Sequence, residues 1–340
     1  MRVHAQSGHR PHLSVLQSLP LLLLLWLTST ALAAGAGPFG PWQAPLLRDH
    51  PLVGRIHDTA SGRAISRAGL ERRLKAAPIV LLGETHDNAD HHRIQAALLR
   101  AFAAAAPRPP AVVFEMIAED RQARLDALMK LPERTADHLF DAVNWDDSGW
   151  PARALYAPLM TAALDAGGPL IAAGAPRRSL RAITEKGEDA ISPARRKALK
   201  LAPLPERQQA AMEREIVKAH CDMIPNSAAR RMSVIQRLRD ALLAAKLVRG
   251  WRAAGRAALI TGNGHVRKDR AAPLYLARHG APRPLVVWIA EAREEAKEIA
   301  DLLPDDAPPA AIADIVIVTP RAEREDPCAK FRRFMKRKKG

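Results

Sequence analysis

Short apolar runs alternate along the chain with longer amphipathic stretches. The runs are Ile79–Glu84, Ala111–Glu115, Pro169–Gly174, Ala257–Gly262, Leu285–Ala290 and Asp314–Thr319, rich in Val, Ile, Leu and Ala and bounded by Gly, Pro or polar residues. Continuous apolar runs of this length predict strands covered on both faces, as in a parallel sheet. Ser66 is placed to cap a short helix through Lys75, Asn88 to cap one from Asp90 to Ala106, and Arg121–Lys130 continues the alternation. Strand–helix alternation predicts an α/β fold with a doubly wound, mostly parallel sheet. Between the third and fourth core strands, residues 177–254 form a helical insertion whose strongest helices are Glu206–His220 and Ser227–Lys246. Met232, Ile235, Leu238, Leu242 and Leu243 give the second of these an apolar stripe. An insertion this long near the crevice is expected to form a lid or subdomain. Val53–Ile56 and Ala64–Ile65, on either side of the turn cluster Asp58–Gly62, predict a small hairpin.

The first residues stand apart from this pattern. Arg2 and Arg10 precede the apolar stretch Leu19–Leu27, and Ala31-Leu32-Ala33 supplies an A-x-A cleavage site. The stretch falls short of the ~20 residues of a membrane span, so residues 1–33 read as a secretory signal peptide. With no Cys near the cleavage site, the expected product is exported, periplasmic or secreted, and not a lipoprotein. The Pro/Gly-rich residues 34–51 read as an extended lead-in, 52–320 as the α/β domain and 321–340 as a basic tail. Losing residues 1–33 removes two positive charges, so the formal charge falls from +16 to +14. Its densest patch, Lys330–Lys339, has Phe331 and Phe334 as its only aromatic interruptions, which argues against nucleic acid as a partner. A solvated tail, or one resting on an anionic membrane surface or an acidic partner, is expected instead. Cys221 and Cys328 match no zinc spacing; export permits a disulfide between them, and the sequence leaves the pairing open.

Candidate chemistry gathers at strand ends, where open α/β sheets place their ligand crevice. Glu84 and His86 follow the first run, Glu115 closes the second, and His265 follows the fourth in Thr261-Gly262-Asn263-Gly264-His265. Two carboxylates and two imidazoles at one sheet edge suit either a divalent metal site or a general base acting on water. His91 and His92 enter the next helix, one expected to face the crevice and the other solvent. Trp145, Trp150 and Tyr156 offer flat surfaces and, at Tyr156, an iron-ligand type. His220-Cys221-Asp222-Met223 reads as a nucleophile, a haem ligand or a plain helix end; Gln236 and Asp240 share a helix face that points to the crevice or to solvent.

The ordered set LLGETHDNADHHRIQ (81–95), VVFEM (112–116), Trp145…Trp150…Tyr156-Ala157-Pro158-Leu159, HCDMIP (220–225) with Ile235-Gln236 and Arg239-Asp240-Ala241, and LITGNGHVR (259–267) resembles the ChaN family of haem-binding uptake proteins. That family is related to the erythromycin esterases and TIKI/TraB proteases. The resemblance spans roughly residues 50–290. It implies a haem or iron-binding protein, with Tyr156 contacting iron and His86 and His265 lining the pocket, and a homodimer holding a cofacial haem pair. The hydrolytic relatives imply instead that Glu84, His86, Glu115 and His265 serve hydrolysis, directly or through a metal.

Overall fold

The computed structural model describes residues 36–339, so the expected signal peptide lies outside the described residues. Eight strands form one sheet: β1 (Ile56–Asp58), β2 (Arg63–Ala64), β3 (Ile79–Glu84), β4 (Ala111–Ala118), β5 (Leu170–Gly174), β6 (Ala257–Gly262), β7 (Leu285–Glu291) and β8 (Ile315–Thr319). Their order across the sheet is β2-β1-β8-β7-β3-β6-β4-β5. The strands from β8 to β5 pair in parallel, while β1 and β2, the expected hairpin, add an antiparallel edge on β8.

Successive side chains along β3 divide between two cores, as strand geometry requires. Val80 and Leu82 pack with α1 (Arg67–Ala76), α2 (Ala89–Ala104), α3 (Gln122–Leu128), α4 (Ala136–Val143) and α5 (Arg153–Asp165). Ile79 and Leu81 face the opposite layer. That layer holds α6 (Arg177–Lys186), α7 (Pro193–Ala198), α9 (Asn226–Ala254), α10 (Asn263–Val266), α11 (Ala272–Arg278) and α12 (Pro309–Ile312), while α8 (Glu206–Ala219) packs on α9 in a small cluster of its own. A last helix, α13 (Pro327–Lys339), follows β8. Helices on both faces confirm the doubly wound reading.

Much of the expected insertion is ordinary core. α9, 29 residues long, is the crossover between β5 and β6 and lies directly on the sheet. A Cβ at its Gly250 would come within 2.8 Å of Ala111 Cβ and 2.9 Å of Ile171 Cδ1, so glycine permits the close approach. The segment after β8 is not a free tail. Leu46 and Arg321 exchange a bridge, and Cys328 forms a disulfide with Cys221 just past α8. That bond also removes Cys221 as a free nucleophile or haem ligand. The lead-in is fastened too, since the Gln43 and Ala44 N–H groups donate to buried Asp90.

Candidate functional site

Strand parity sets the site. Glu84 shares the face of Val80 and Leu82 and so enters the α2/α5 layer, whereas Glu115 shares the face of Ala111 and Val113 and enters the α9 layer. Glu84 is buried, and its Oε1 bonds His86 Nδ1 at 2.5 Å and accepts from the Tyr156 hydroxyl at 3.4 Å. Its Oε2 has no hydrogen-bond partner among the described residues. The His86 side chain is 41% exposed, and its ring makes a T-shaped contact with Trp150, the ring centres 4.7 Å apart. Burial lowers the tendency of His86 to protonate, but the hydrogen bond and charge of Glu84 outweigh it and hold its pKa above the ordinary value. With Nδ1 committed to a carboxylate, the group available for a ligand is Nε2.

Glu115 does not end its strand as expected. β4 runs on to Ala118, and its register with β5 shifts between Phe114 and Ala118. Gly174 permits that irregularity, because a Cβ there would sit 2.4 Å from the Glu115 carbonyl oxygen. Buried Glu115 accepts from the Thr261 hydroxyl (2.6 Å) and the Gly262 N–H (2.9 Å), and pairs with His265 Nε2 (3.3 Å). His265 Nδ1 bonds Asp240 of α9 at 2.7 Å. One imidazolium is thus held between two buried carboxylates. Burial opposes its charge, but Glu115 and then Asp240 raise the His265 pKa to about 10. Burial likewise opposes the Glu115 charge, yet His265 holds it far below the ordinary carboxylate range. Glu115 commands three donors. Asp240 has a smaller share, so burial lifts it to about 6 against the pull of His265.

Gly262 joins the two pairs. A Cβ at this position would lie 2.7 Å from His86 Cε1, 3.1 Å from His86 Nε2 and 3.7 Å from Glu115 Oε2. The four sequence-selected groups therefore meet around one glycine. Gly83 does the same on the neighbouring strand, where a Cβ would be 2.4 Å from Asn263 Oδ1 and 2.8 Å from Val266 Cγ2. It lets α10, and with it His265, settle onto the sheet.

Several expected roles are not matched by position. Tyr156 is fully buried, its ring 3.8 Å from that of His92 and 4.8 Å from that of Trp145. Burial, then Glu84 and Glu115, push its phenol well above its ordinary value. Tyr275 is also fully buried, in the α9 layer. His265 has both ring nitrogens engaged and so offers none to iron. Among the described residues no three His, Cys, Asp or Glu groups are arranged to hold a metal ion, and the divalent-metal reading of Glu84, His86, Glu115 and His265 gains no support. These groups are turned on one another instead.

His91 and His92 are both buried, contrary to the expected division between crevice and solvent. His91 Nδ1 accepts from the Thr85 N–H (2.8 Å), leaving Nε2 to bond the Thr319 hydroxyl (2.9 Å). His92 Nε2 donates to the His86 carbonyl (3.0 Å). Both fix the loop between β3 and α2. Asp240 is the residue that sequence reasoning left undecided. A signal existed, since Ser233, Arg237, Ala244 and Leu247, on the same face of α9, are all buried.

A crevice of about 430 Å3 opens beside this cluster, within the range of small-molecule sites. Glu115, Met116, Trp145, Trp150, Leu180 and Leu243 line it, with Arg121, Arg177 and Arg239. Flat aromatic walls, a thioether and arginines suit a flat apolar ligand bearing carboxylates. The lining residues suit haem, with the arginines for its propionates; His86 adjoins this lining through its contact with Trp150, and neither tyrosine belongs to it.

A sequence model of the family described as haem-binding uptake, Tiki superfamily, ChaN, matches residues 70–276. Among solved structures, the chain is similar to one of cofacial heme binding to ChaN of Campylobacter jejuni, at 19% identity and a TM-score of 0.59, covering 77% of this chain and 95% of that one. It is also similar to an erythromycin esterase, a mutant of EreC in its open conformation, at 14% identity and a TM-score of 0.45, covering 80% of this chain and 99% of that one. No curated protein matches the chain at a significant level.

Proposed function

We propose, for a chain that belongs to the haem-binding uptake family of the Tiki superfamily, ChaN, that it is an exported haem-binding protein serving haem or iron uptake. The observation that carries this reading is a carboxylate-backed imidazole, His86 on Glu84, standing at Trp150 on the rim of an arginine-lined crevice. A neutral imidazole is a haem-iron ligand type, and a carboxylate on its far nitrogen fixes its tautomer and raises its basicity. Arg177 and Arg239 supply cations at the crevice, and Trp150 packs against the imidazole in a T-shaped contact. Export draws support from the signal-like residues 1–33 and from the Cys221–Cys328 disulfide, a bond at home in oxidising compartments. Haem titration tests the reading. Wild type develops a Soret band with saturating absorbance, and His86→Ala loses about tenfold or more in affinity. A wild type that binds no haem, or a His86→Ala variant of equal affinity, refutes it. Sedimentation with and without haem reads the homodimer, and N-terminal sequencing of the mature protein reads cleavage after Ala33.

The second reading is hydrolysis, and one observation favours it. A haem pocket has no use for a buried His265 imidazolium between Glu115 and Asp240. In this reading His86 takes a proton from water at Nε2, Glu84 orients it, and His265 fixes the Glu115 carboxylate in the crevice wall. An ester-hydrolysis screen comparing wild type, His86→Ala and Glu115→Gln decides it: turnover lost in both variants supports hydrolysis, and no turnover in wild type removes it.

A further inference from the structure

The stretch after β8 lies beyond residues 70–276 of the family match, yet it is built onto the loop that carries His86. Arg324 donates from Nε (2.8 Å) and Nη2 (2.7 Å) to the two carboxylate oxygens of Asp87, the residue after His86. The same guanidinium donates from Nη1 and Nη2 to the two oxygens of Glu291 at the end of β7, each at 2.7 Å. Glu291 also accepts from Asn88 Nδ2 (2.7 Å) and the Ala322 N–H (3.0 Å), and Asn88 Nδ2 donates in addition to the Pro320 carbonyl (3.1 Å). Beyond Arg324, the disulfide of Cys328 to Cys221 pins the segment to the end of α8. The Thr85–Asn88 loop is therefore held from outside by a strap fastened at both of its own ends.

A single exposed ion pair holds little. A planar guanidinium doubly bonded to each of two carboxylates, one of them on the loop and one on the sheet, fixes geometry in a way a point charge does not. The Arg324 side chain is 29% exposed, and its hydrogen bonds go to Asp87 on the loop and Glu291 at the sheet edge.

We infer that Arg324 is a positioning residue: by tying Asp87 to Glu291 it holds the Thr85–Asn88 loop so that the His86 imidazole stays seated on Glu84 and presents Nε2 to the crevice. The Cys221–Cys328 bond keeps the strap carrying Arg324 in place. The inference rests on the ligand-facing role given to His86 above, but its principal readouts need no ligand.

Disulfide-bonded protein carrying Arg324→Ala or Arg324→Lys, and a Cys328→Ser variant that lacks the bond, are compared with wild type. Arg67→Ala, which breaks an exposed pair with Glu71 on α1, is the control. Two readouts are taken without ligand: amide hydrogen exchange along β3 and residues 85–88, and the far-downfield proton resonance of His86 Nδ1 on Glu84. In Arg324→Ala, exchange at Thr85 and Asn88 accelerates by about tenfold or more while Leu81 and Leu82 stay protected. The Nδ1 resonance broadens or disappears, and haem affinity falls with it. Arg324→Lys restores part of the signal, Cys328→Ser shows a smaller version of the loss, and Arg67→Ala resembles wild type. An unchanged loop and Nδ1 resonance in Arg324→Ala overturns the inference, as does a loss of protection spread equally through β3. A wild type that fails to bind haem refutes the proposed function alone, because the ligand-free readouts still decide the role of Arg324.

Discussion

Replacing Gly262 by Ala puts a methyl group into the gap between the two charged pairs. The backbone tolerates it, since Gly262 has φ −68° and ψ 154°, an extended conformation open to any residue. The new carbon would lie 2.7 Å from His86 Cε1 and 3.1 Å from Nε2, distances too short to persist, while Glu115 Oε2 at 3.7 Å is an ordinary contact. The ring that must move is His86, because Glu115 is locked by Thr261, the Gly262 amide and His265 and the His86 side chain is 41% exposed. Moving it breaks the Nδ1 bond to Glu84. Hydrogen bonds to charged groups are worth about 1.5–3 kcal/mol. Solvent screening at a side chain this exposed argues for the lower end. A loss of about 1.4 kcal/mol is a factor of roughly ten in affinity. The expected result is a fold destabilised by about 1.5 kcal/mol, since the hydrogen bond that is broken also holds buried Glu84 in the folded chain. His86 titrates at lower pH than in wild type, because the Glu84 bond that raised it is gone, and haem affinity falls about tenfold. Denaturant unfolding, NMR titration of His86 and a Soret titration read the three quantities. A variant with unaltered His86 titration and affinity would show that the imidazole does not border Gly262 and would refute the geometry.

Tyr156→Phe keeps the Soret band and haem affinity, and costs less than about 1 kcal/mol in denaturant melts because it removes one long hydrogen bond to Glu84. Gly83→Ala destabilises by about 1–3 kcal/mol, since the added methyl meets Asn263 and Val266 inside a packed layer; an unchanged midpoint would mean that α10 does not rest there. The His265 pKa is raised from its ordinary 6.5 to about 10, so its contribution to stability is fully present below pH 6.5 and is lost as pH rises through about 10. The stability gap between wild type and His265→Gln should therefore shrink over that window, and a constant gap would place a neutral imidazole there. The Glu115 pKa is depressed, so its contribution is present above its unfolded value of 4.5 and fades as pH falls below that, which acid melts of Glu115→Gln against wild type should show.

The strands were legible because buried parallel strands are unbroken apolar runs, and the observed β3, β5 and β6 start and stop within a residue of those runs. The clustering of Glu84, His86, Glu115 and His265 was legible for the same reason, as each sits at or near the carboxyl end of such a run. What stayed hidden depends on through-space facts. Tyr156 looked like a ligand by type, but α5 turns it into the core, where the parity of Glu84 meets it. Asp240 lies 25 residues from His265 and reaches it because α9 packs across β4 and β6. The disulfide of Cys221 to Cys328 spans a sequence separation of 107, which no local pattern encodes. By charge alone the basic tail reads as solvated, or as resting on an anionic membrane surface or an acidic partner. Arg324 within it is instead neutralised by Asp87 and Glu291, each from a different part of the chain.

The iron-facing group proposed for this chain is the Glu84-backed imidazole of His86. Electron–nuclear double resonance on the ferric haem complex, prepared with 15N-histidine, addresses it directly. The expected result is a coupling from one imidazole nitrogen of the protein that vanishes in His86→Ala and persists in Tyr156→Phe and His265→Gln. A complex with no histidine coupling and a phenolate charge-transfer band abolished by Tyr156→Phe would contradict it.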